Sequence, residues 1–370
     1  RLKNNMRITV IGTRGIPEIQ GGVETHCQEL YPRLAAMGHD VTVIRRRPYV
    51  TPDNKISTYK GVRLVDVYAP RKKSLEAIVH TFLAVIKARL MKTDILHVHA
   101  IGPALMVPFA RLLGMKVVMT NHGPDYNRQK WGRMARLMLR TGEKAGTRFS
   151  HRVIVISKTI AAILADNYGR TDTDLIYNGV SRPVKSRSTD YIESIGLEPG
   201  KYIVAVGRFV KEKGFHDLIE AYRKAAPEGY RLAIAGDADH PDIYSESLKA
   251  MAGDNNVVLT GFIRGEKMNQ LMSHAALFVI PSYHEGLPFS LLEAMSYDLD
   301  VIASDIPANR LDCLTGDDFF NTGDTDDLSE MLTKKLHQPI HVRHYDLSDY
   351  DWDSIARQTA AVYESIFDKK

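Results

Sequence analysis

Apolar and polar positions along this chain fall into blocks that switch repeatedly between the two-residue period of a strand and the longer period of an amphipathic helix. Residues 7–12 form a short β-branched run ended by Gly12, which predicts a buried first strand. A helix is predicted over 23–37, with Val23, Cys27, Leu30, Leu34 and Met37 on one stripe and Gly38 as its stop. The alternation continues with strands at 41–44 and 62–67, a helix at 75–91, a strand at 95–98, a helix at 104–113 and a strand at 116–120. A basic helix follows residue 133, then a strand at 152–156, a helix at 158–168 and a strand at 174–177. The turn-rich stretch 178–183 precedes a second series, with strands at 202–206, 231–235, 257–260 and 276–280. Its helices are expected at 215–225, 243–251, 265–274 and 287–295, and a last helix at 352–367. Short Val/Ile/Leu runs alternating with helices predict parallel sheets covered on both faces. At 370 residues the chain exceeds one typical core. The expectation is two doubly wound α/β domains in tandem, 6–178 and 183–345, with the boundary at 178–184.

In open sheets of this kind ligands sit beyond the strand C-termini, so the residues following each strand hold the candidate chemistry. After the first strand, Gly21-Gly22 opens a helix, where adjacent glycines let backbone amides approach a phosphate. This is not the spaced G-x-G-x-x-G fingerprint, and an ordinary turn is an equal reading. The next two inner strands run out at His97, His99 and Asn121-His122-Gly123-Pro124-Asp125. His97 and His99 have no third ligand at useful sequence spacing, so no metal site is expected. In the second half, Gly207-Arg208 through Lys213-Gly214 leaves a strand and enters a helix. A planar guanidinium fork and a point-charge ammonium together suit a diphosphate.

The densest segment is 279–295. A buried strand ends at Ile280, a loop with Glu285-Gly286-Leu287-Pro288 follows, and a helix carries Glu293. Seven residues separate the two glutamates, about two turns if all were helical, so one ligand meets both only at well-separated points. The amides of Phe289, Ser290 and Leu291 lie between them at a helix start, where an anion is welcome.

Charge changes the picture more than composition does. The chain is 44% hydrophobic and 25% charged with a net charge of +5. Residues 1–182 hold 30 Lys and Arg against 13 Asp and Glu, a net of +17, whereas 183–370 hold 19 against 31, a net of −12. The first half is therefore expected to face something anionic. The helix after Arg133 bears Arg136, Arg140 and Lys144 beside Met134, Leu137 and Met138, and Trp131 precedes it. That mixture predicts an amphipathic face for an anionic membrane surface, with Arg45-Arg46-Arg47 and Arg71-Lys72-Lys73 adding to it. No apolar run approaches the ~20 residues of a membrane span. No long apolar h-region follows the first residues and the two cysteines, Cys27 and Cys313, lie far apart, so a reducing cytoplasm is expected. Nucleic-acid binding lacks any motif or aromatic platform.

Taken in order, the strand, Glu285-Gly286-Leu287-Pro288, the helix and Glu293 resemble the signature of the retaining nucleotide-sugar glycosyltransferases of family 4, which have the GT-B fold. Gly12-Thr13-Arg14-Gly15-Ile16-Pro17 through Gly21-Gly22-Val23-Glu24-Thr25, and Ser304 to Arg310, are similar to a bacterial rhamnosyltransferase-like subgroup. The resemblance implies two Rossmann-like domains facing across a cleft, with the C-terminal helix, 352–370, joining the first domain. It implies that Glu285 contacts the transferred hexose, Glu293 the ribose, Arg208 and Lys213 the diphosphate, and backbone near Ile263 the base. Gly21, Gly22, Gly286, Phe289, Ser290 and Leu291 would complete donor binding, and His122 would point at the sugar. Tyr297-Asp298-Leu299-Asp300 departs from the glycine and proline common after the signature helix.

The function so implied is retaining transfer of a hexose or deoxyhexose from a UDP-, GDP- or dTDP-linked donor, without a cofactor or metal. The acceptor would be a glycan or a polyprenyl-diphosphate-linked intermediate of surface polysaccharide synthesis, and the location the cytoplasm, peripherally on the inner face of the plasma membrane. Two other readings use the same residues: a nucleotide-sugar epimerase or hydrolase, and a non-catalytic sugar-nucleotide-binding subunit.

Overall fold

The structure, a computed structural model, describes residues 5–19, 21–70, 73–124, 132–238, 241–253, 256–286, 288–339 and 342–367. Arg71, Lys72, Asp125, the stretch ending at Trp131, and Leu287 lie outside the described residues. The chain divides into two units, Arg1–Gly179 with Asp349–Lys370, and Val180–Ser348.

The first unit holds strands β1 (Arg7–Ile11), β2 (Asp40–Arg46), β3 (Thr58–Tyr59), β4 (Val62–Val67), β5 (Ile95–His99), β6 (Lys116–Asn121), β7 (Arg152–Val155) and β8 (Asp174–Leu175). They form one sheet in the order β3-β4-β2-β1-β5-β6-β7-β8, parallel except for the β3–β4 pair. Helices α1 (Gly22–Ala36), α2 (Lys73–Leu90), α3 (Val107–Leu112), α4 (Arg133–Phe149) and α5 (Lys158–Tyr168) connect them. The side-chain period of two decides the layers. Ile8 and Val10 of β1 join Leu30, Tyr31 and Leu34 of α1 in one core, whereas Ile11 joins Val85 of α2 and Val107 of α3 in the other.

The second unit runs through α6 (Asp190–Ser194), β9 (Tyr202–Val206), α7 (Phe215–Ala225), β10 (Arg231–Ala235), α8 (Ile243–Met251), β11 (Val257–Gly261), α9 (Glu266–Ser273) and β12 (Leu277–Ile280). It is completed by α10 (Phe289–Ser296), β13 (Val301–Ser304), β14 (Phe319–Phe320) and α11 (Thr325–Leu336). Its sheet is parallel throughout, in the order β11-β10-β9-β12-β13-β14. Both units are thus Rossmann-like. The chain ends in α12 (Trp352–Ser365), whose Trp352, Ile355, Ala356 and Tyr363 belong to the same core as α1 and β1. Arg33 of α1 reaches Asp353 at 2.9 Å.

Several expectations change. The helix expected at 104–113 is a 3-10 turn, Pro103–Met106, followed by α3. Pro108 at the start of α3 lacks the N–H that would continue one helix through it. The strand expected at 174–177 is only β8, two residues long. Arg45 and Arg46 do not add to a basic surface. Arg45 is 1% exposed, donating to Asp66 at 2.7 Å and to the carbonyls of Asn54 and Ile56, and Arg46 pairs with Glu76 at 2.9 Å. A buried guanidinium must place its donors on acceptors, and the loop 47–56 supplies them. Among the described residues no helix is long and apolar enough to cross a membrane.

The second unit is closed by a buried ion cluster. Asp318, 1% exposed, pairs with Lys335 at 3.0 Å and receives Arg343 through two nitrogens, one of them at 2.8 Å, while Lys335 also meets Asp300 at 2.7 Å. Burial raises the Asp318 carboxyl, but hydrogen bonds from Arg343 and the Thr315 amide and the charge of Lys335 outweigh it and hold it at about 2. A carboxylate with a depressed pKa stabilises the folded state above its unfolded pKa of about 4, and that contribution is lost as pH falls toward 2. Asp318→Asn is expected to cost about 3 kcal/mol at pH 7 by stranding two cations. Urea unfolding should show the gap to the native chain narrowing as pH drops from about 4 to about 2, and a gap independent of pH would refute the assignment.

Candidate active site

In the second unit the sheet order reverses between β9 and β12, so the loops leaving these two strands part there and leave a crevice. The first loop is 207–214 and the second 281–288. Three contacts tie them. Lys213 Nζ lies 2.5 Å from Glu285 Oε1, with the two side chains 20% and 10% exposed. The Tyr283 amide donates to the Glu212 carbonyl at 2.8 Å. Gly214, in the left-handed region at φ 65°, packs so closely that a Cβ would stand 2.1 Å from the Pro281 carbonyl oxygen. Only glycine satisfies both the conformation and the approach.

Glu285 is fixed from behind as well. Ser282 Oγ donates to its Oε1 at 2.7 Å, Ser304 Oγ donates to the Ser282 carbonyl at 2.5 Å, and Asn309 Nδ2 donates to the Ser304 carbonyl at 3.0 Å. Ser282, Ser304 and Asn309 are fully buried. Fixed donors in a desolvated setting hold the carboxylate in one orientation. The sequence pattern included these three residues but gave no signal for their roles, because the chain of bonds crosses from β12 to the loop after β13.

Glu293 stands on α10 with its carboxyl raised by burial, and among the described residues no donor hydrogen-bonds it. The helix begins only at Phe289, so the span from Glu285 to Glu293 is loop and one turn, not two helical turns. The Leu291 amide is already bonded to the Pro288 carbonyl at 3.0 Å, which corrects its expected availability. First-turn amides close onto the capping residue when a 3-10-type bond is within reach. Those of Phe289 and Ser290 have no acceptor among the described residues. Arg208 and Gly286 are half-buried in the two tied loops, and Ile263 is half-buried in the loop after β11. The structure thus brings Lys213 and Glu285 into contact and sets Ile263 two strands away from β9.

In the first unit the sheet reverses between β1 and β5. Gly22 is the exposed first residue of α1, and Gly21 caps it at φ 149°. A Cβ on Gly21 would lie 2.0 Å from Glu24 Oε2. Glu24 is 7% exposed and accepts from the Arg14 amide at 2.9 Å and from Thr13 Oγ1 at 3.2 Å, folding the loop after β1 onto the helix start.

His122, half-buried past the end of β6, hydrogen-bonds through Nε2 to His99 Nδ1 at 2.9 Å. His26 of α1 completes a group with them, one nitrogen from each lying within 4.8 Å of the others. The expectation that His99 has no third partner is therefore corrected: His26 arrives from a helix 73 positions away in sequence. Burial pushes His26 down to about 4 and holds His99 and His122 well below the usual imidazole range, so all three are neutral and able to bind a transition metal. His99 and His122 already use facing nitrogens on each other, which such an ion would have to break.

Residues 20–182 match Glycosyltransferase Family 4 and residues 188–346 match Glycosyl transferases group 1. An uncharacterized glycosyltransferase of Methanocaldococcus jannaschii is 24% identical, covering 97% of this chain and 98% of its own length. Sucrose-phosphate synthase from Thermosynechococcus elongatus has a similar fold, with a TM-score of 0.80 at 22% identity over 98% of this chain and 99% of that one. Anabaena HepE in complex with UDP-glucose gives a TM-score of 0.72 at 17% identity, over 98% and 95% of the two chains.

The tie between the β9 and β12 loops can be tested against a second glycine of the same handedness. Gly229, at φ 76°, has open space where a Cβ would be, whereas Gly214 has the Pro281 carbonyl. Gly229→Ala is expected to cost about 1 kcal/mol from the backbone conformation alone. Gly214→Ala should cost about 2 kcal/mol more, because a loop must also move. Equal shifts in urea midpoint would show that the loops do not press on each other.

Proposed function

The chain is a glycosyltransferase of the GT-B fold, made of a family 4 domain followed by a group 1 domain, and on that premise we propose that it moves a hexose or deoxyhexose from a nucleoside-diphosphate sugar with retention at the anomeric carbon. The acceptor in this reading is a glycan or a polyprenyl-diphosphate-linked glycan of surface polysaccharide synthesis. The observation that supports it most is the Lys213–Glu285 contact at the β9/β12 crevice, with the Glu293 carboxyl, which has no hydrogen-bond donor among the described residues, one element further along. A neutral ligand's hydroxyls suit both acids, and an anion suits the ammonium and the Phe289 and Ser290 amides.

In the proposed reaction the bond from the anomeric carbon to the diphosphate oxygen breaks, its electron pair leaving with the nucleoside diphosphate. The acceptor oxygen bonds the same face of that carbon, and its proton passes to the departing phosphate oxygen. Charge therefore grows on the diphosphate while the sugar turns oxocarbenium-like. Lys213 and Arg208 stabilise the former in this reading, and the ammonium can keep one donor on Glu285 while giving others to phosphate oxygens. Glu285, locked by Ser282, orients the hexose, and Glu293 takes the ribose hydroxyls. His122 hydrogen-bonds the sugar, Gly21 and Gly22 approach the diphosphate, and the backbone near Ile263 and Gly286 frames the donor. The binding of UDP-glucose by Anabaena HepE makes UDP-sugars the first to test.

A thermal-shift panel of UDP-, GDP- and dTDP-sugars is expected to raise the melting temperature for one nucleotide, since a ligand that binds only the native state stabilises it by mass action. With that donor, Lys213→Ala should lower kcat about 10²- to 10³-fold, well beyond the effect of the about 2 kcal/mol of stability lost by leaving Glu285 unpaired, with the variant still folded. Near-normal turnover rejects the role. Sugar release from donor and water alone, with no gain from any acceptor, would favour the hydrolase or epimerase. Binding without turnover would favour a non-catalytic subunit.

A membrane surface is part of the same proposal. Along α4, Arg133, Arg136, Arg140, Lys144 and Arg148 are exposed together with Met134 at 79% and Leu137 at 62%. Cations interleaved with long apolar side chains on one exposed helix face suit a peripheral position on anionic lipid. Vesicles with anionic lipid are expected to float the protein at low salt and to release it as salt rises. Absence of binding at low salt ends this part of the reading.

A further inference from the structure

His122 is held through its backbone as well as through its ring. It lies between Asn121, the last residue of β6, and Gly123, whose φ of 117° is open to glycine and rarely to other residues. Asn121 Oδ1 accepts from the Gly123 amide at 2.8 Å, so a side chain closes the turn around His122. Behind that side chain stands α4. Glu143, 1% exposed, accepts from Asn121 Nδ2 through Oε1 at 3.1 Å and from Tyr168 Oη through Oε2 at 2.9 Å, and Asn121 itself is fully buried.

We propose that Glu143 is a positioning residue, which acts through Asn121 to fix the turn that presents His122. The side-chain amide of Asn121 fits in only one way. The Gly123 N–H can only donate, so it must meet Oδ1, and the rotation that satisfies it turns Nδ2 toward Glu143. A carboxylate oxygen is the acceptor that Nδ2 needs. With an apolar chain in that place Nδ2 would be buried without a partner, a cost that drives Asn121 into another rotamer and releases the Gly123 N–H. Nor can the helix drift to relax the pair. A Cβ on Gly142 would run into the Ile101 carbonyl oxygen and one on Gly146 into Met119 Sδ, so α4 lies at backbone distance from the loop after β5 and from β6 on both sides of Glu143. Tyr168 of α5 occupies the second oxygen and leaves the carboxylate one orientation.

The inference rests on the reading above that His122 meets the donor sugar, because a group aimed at a sugar hydroxyl must be held to about 0.5 Å to count in the rate.

The test uses the full chain and two readouts, kcat with the donor that binds and hydrogen exchange at the Gly123 amide. Glu143→Met, of similar length but without an acceptor, is expected to lower kcat about tenfold, with the donor KM changed less than about twofold, and to speed Gly123 exchange about tenfold, the effect of one net hydrogen bond. Glu143→Gln keeps an acceptor for Asn121 and should recover both to within about threefold of the native chain. Tyr168→Phe empties the other oxygen, so it lowers stability and leaves both readouts within about twofold. On an Asn121→Ala background Glu143→Met should change kcat no further, since the two act as one unit. Native kcat and exchange in a folded Glu143→Met variant, kcat losses that multiply with those of Asn121→Ala, a Glu143→Gln variant as slow as Glu143→Met, or an equal loss in Tyr168→Phe each overturn the role. If Glu143→Met does not fold, Asn121→Asp decides. It sets two carboxylates against each other, and adding Glu143→Gln, which can donate, should restore protection at Gly123; no gain from the second change overturns the role. Exchange at Gly123 needs no turnover. A native chain that transfers nothing from any donor ends the transfer reading, while a Gly123 amide that responds to Glu143 still places the carboxylate behind the turn.

Discussion

One partly buried ion pair organises the second unit. Lys213 and Glu285 meet at 2.5 Å where the sheet order reverses, and each brings its own loop with it. Pairs on the surface, such as Lys334 with Asp317, whose side chains are 58% and 83% exposed, contribute little because water screens them and the side chains must be ordered. Taking Lys213 and Glu285 partly out of water costs desolvation that their attraction offsets only if the geometry is held. The surroundings hold it: Gly214 against the Pro281 carbonyl, Tyr283 on the Glu212 carbonyl, and the Ser282–Ser304–Asn309 chain behind the carboxylate. The result is an ammonium and a carboxylate held against each other in one geometry where the two loops part.

The first unit reaches rigidity by a different route. Its histidines are neutral because burial makes their charged forms costly, and their hydrogen bonds run through phenols and a threonine in place of ion pairs. Neutral rings carry a direction, since each has one donor and one acceptor nitrogen. The Gly21–Glu24 contact does the corresponding work for the start of α1, with one carboxylate shaping the loop from Thr13 to Gly22.

Basic residues in the first half divide in the same way between structure and surface. Arg45 and Arg46 are consumed by Asp66, Glu76 and loop carbonyls, while those of α4 remain exposed beside Met134 and Leu137. A run of three arginines in the sequence therefore contributes less to the surface than its charge suggests. Burial separates a clamp from a contact patch, and the sequence does not record burial.

The sequence by itself determined the elements and their class, because hydrophobic period and chain-local signals write them into consecutive residues. The helix Lys158–Tyr168 matched its expected bounds because Ser157 caps one end, accepting from the Ile160 amide, and Gly169 ends it at φ 66°. Two parallel α/β units, loops at strand ends and the positions of Lys213 and Glu285 were legible for the same reason. Short pieces such as α6, β13 and β14 were not, and Pro108 split a helix that the pattern joined; α11 was missed although Leu328, Met331, Leu332 and Leu336 fall at helical spacing behind the Asp324 cap. Only the tertiary structure decided which residues support the site. It placed Tyr363 beside His97 across 266 positions, His26 beside His122, and Asn309 behind Glu285. Those contacts join elements that parallel crossovers bring side by side, and no local pattern in the chain specifies which buried polar group will meet which.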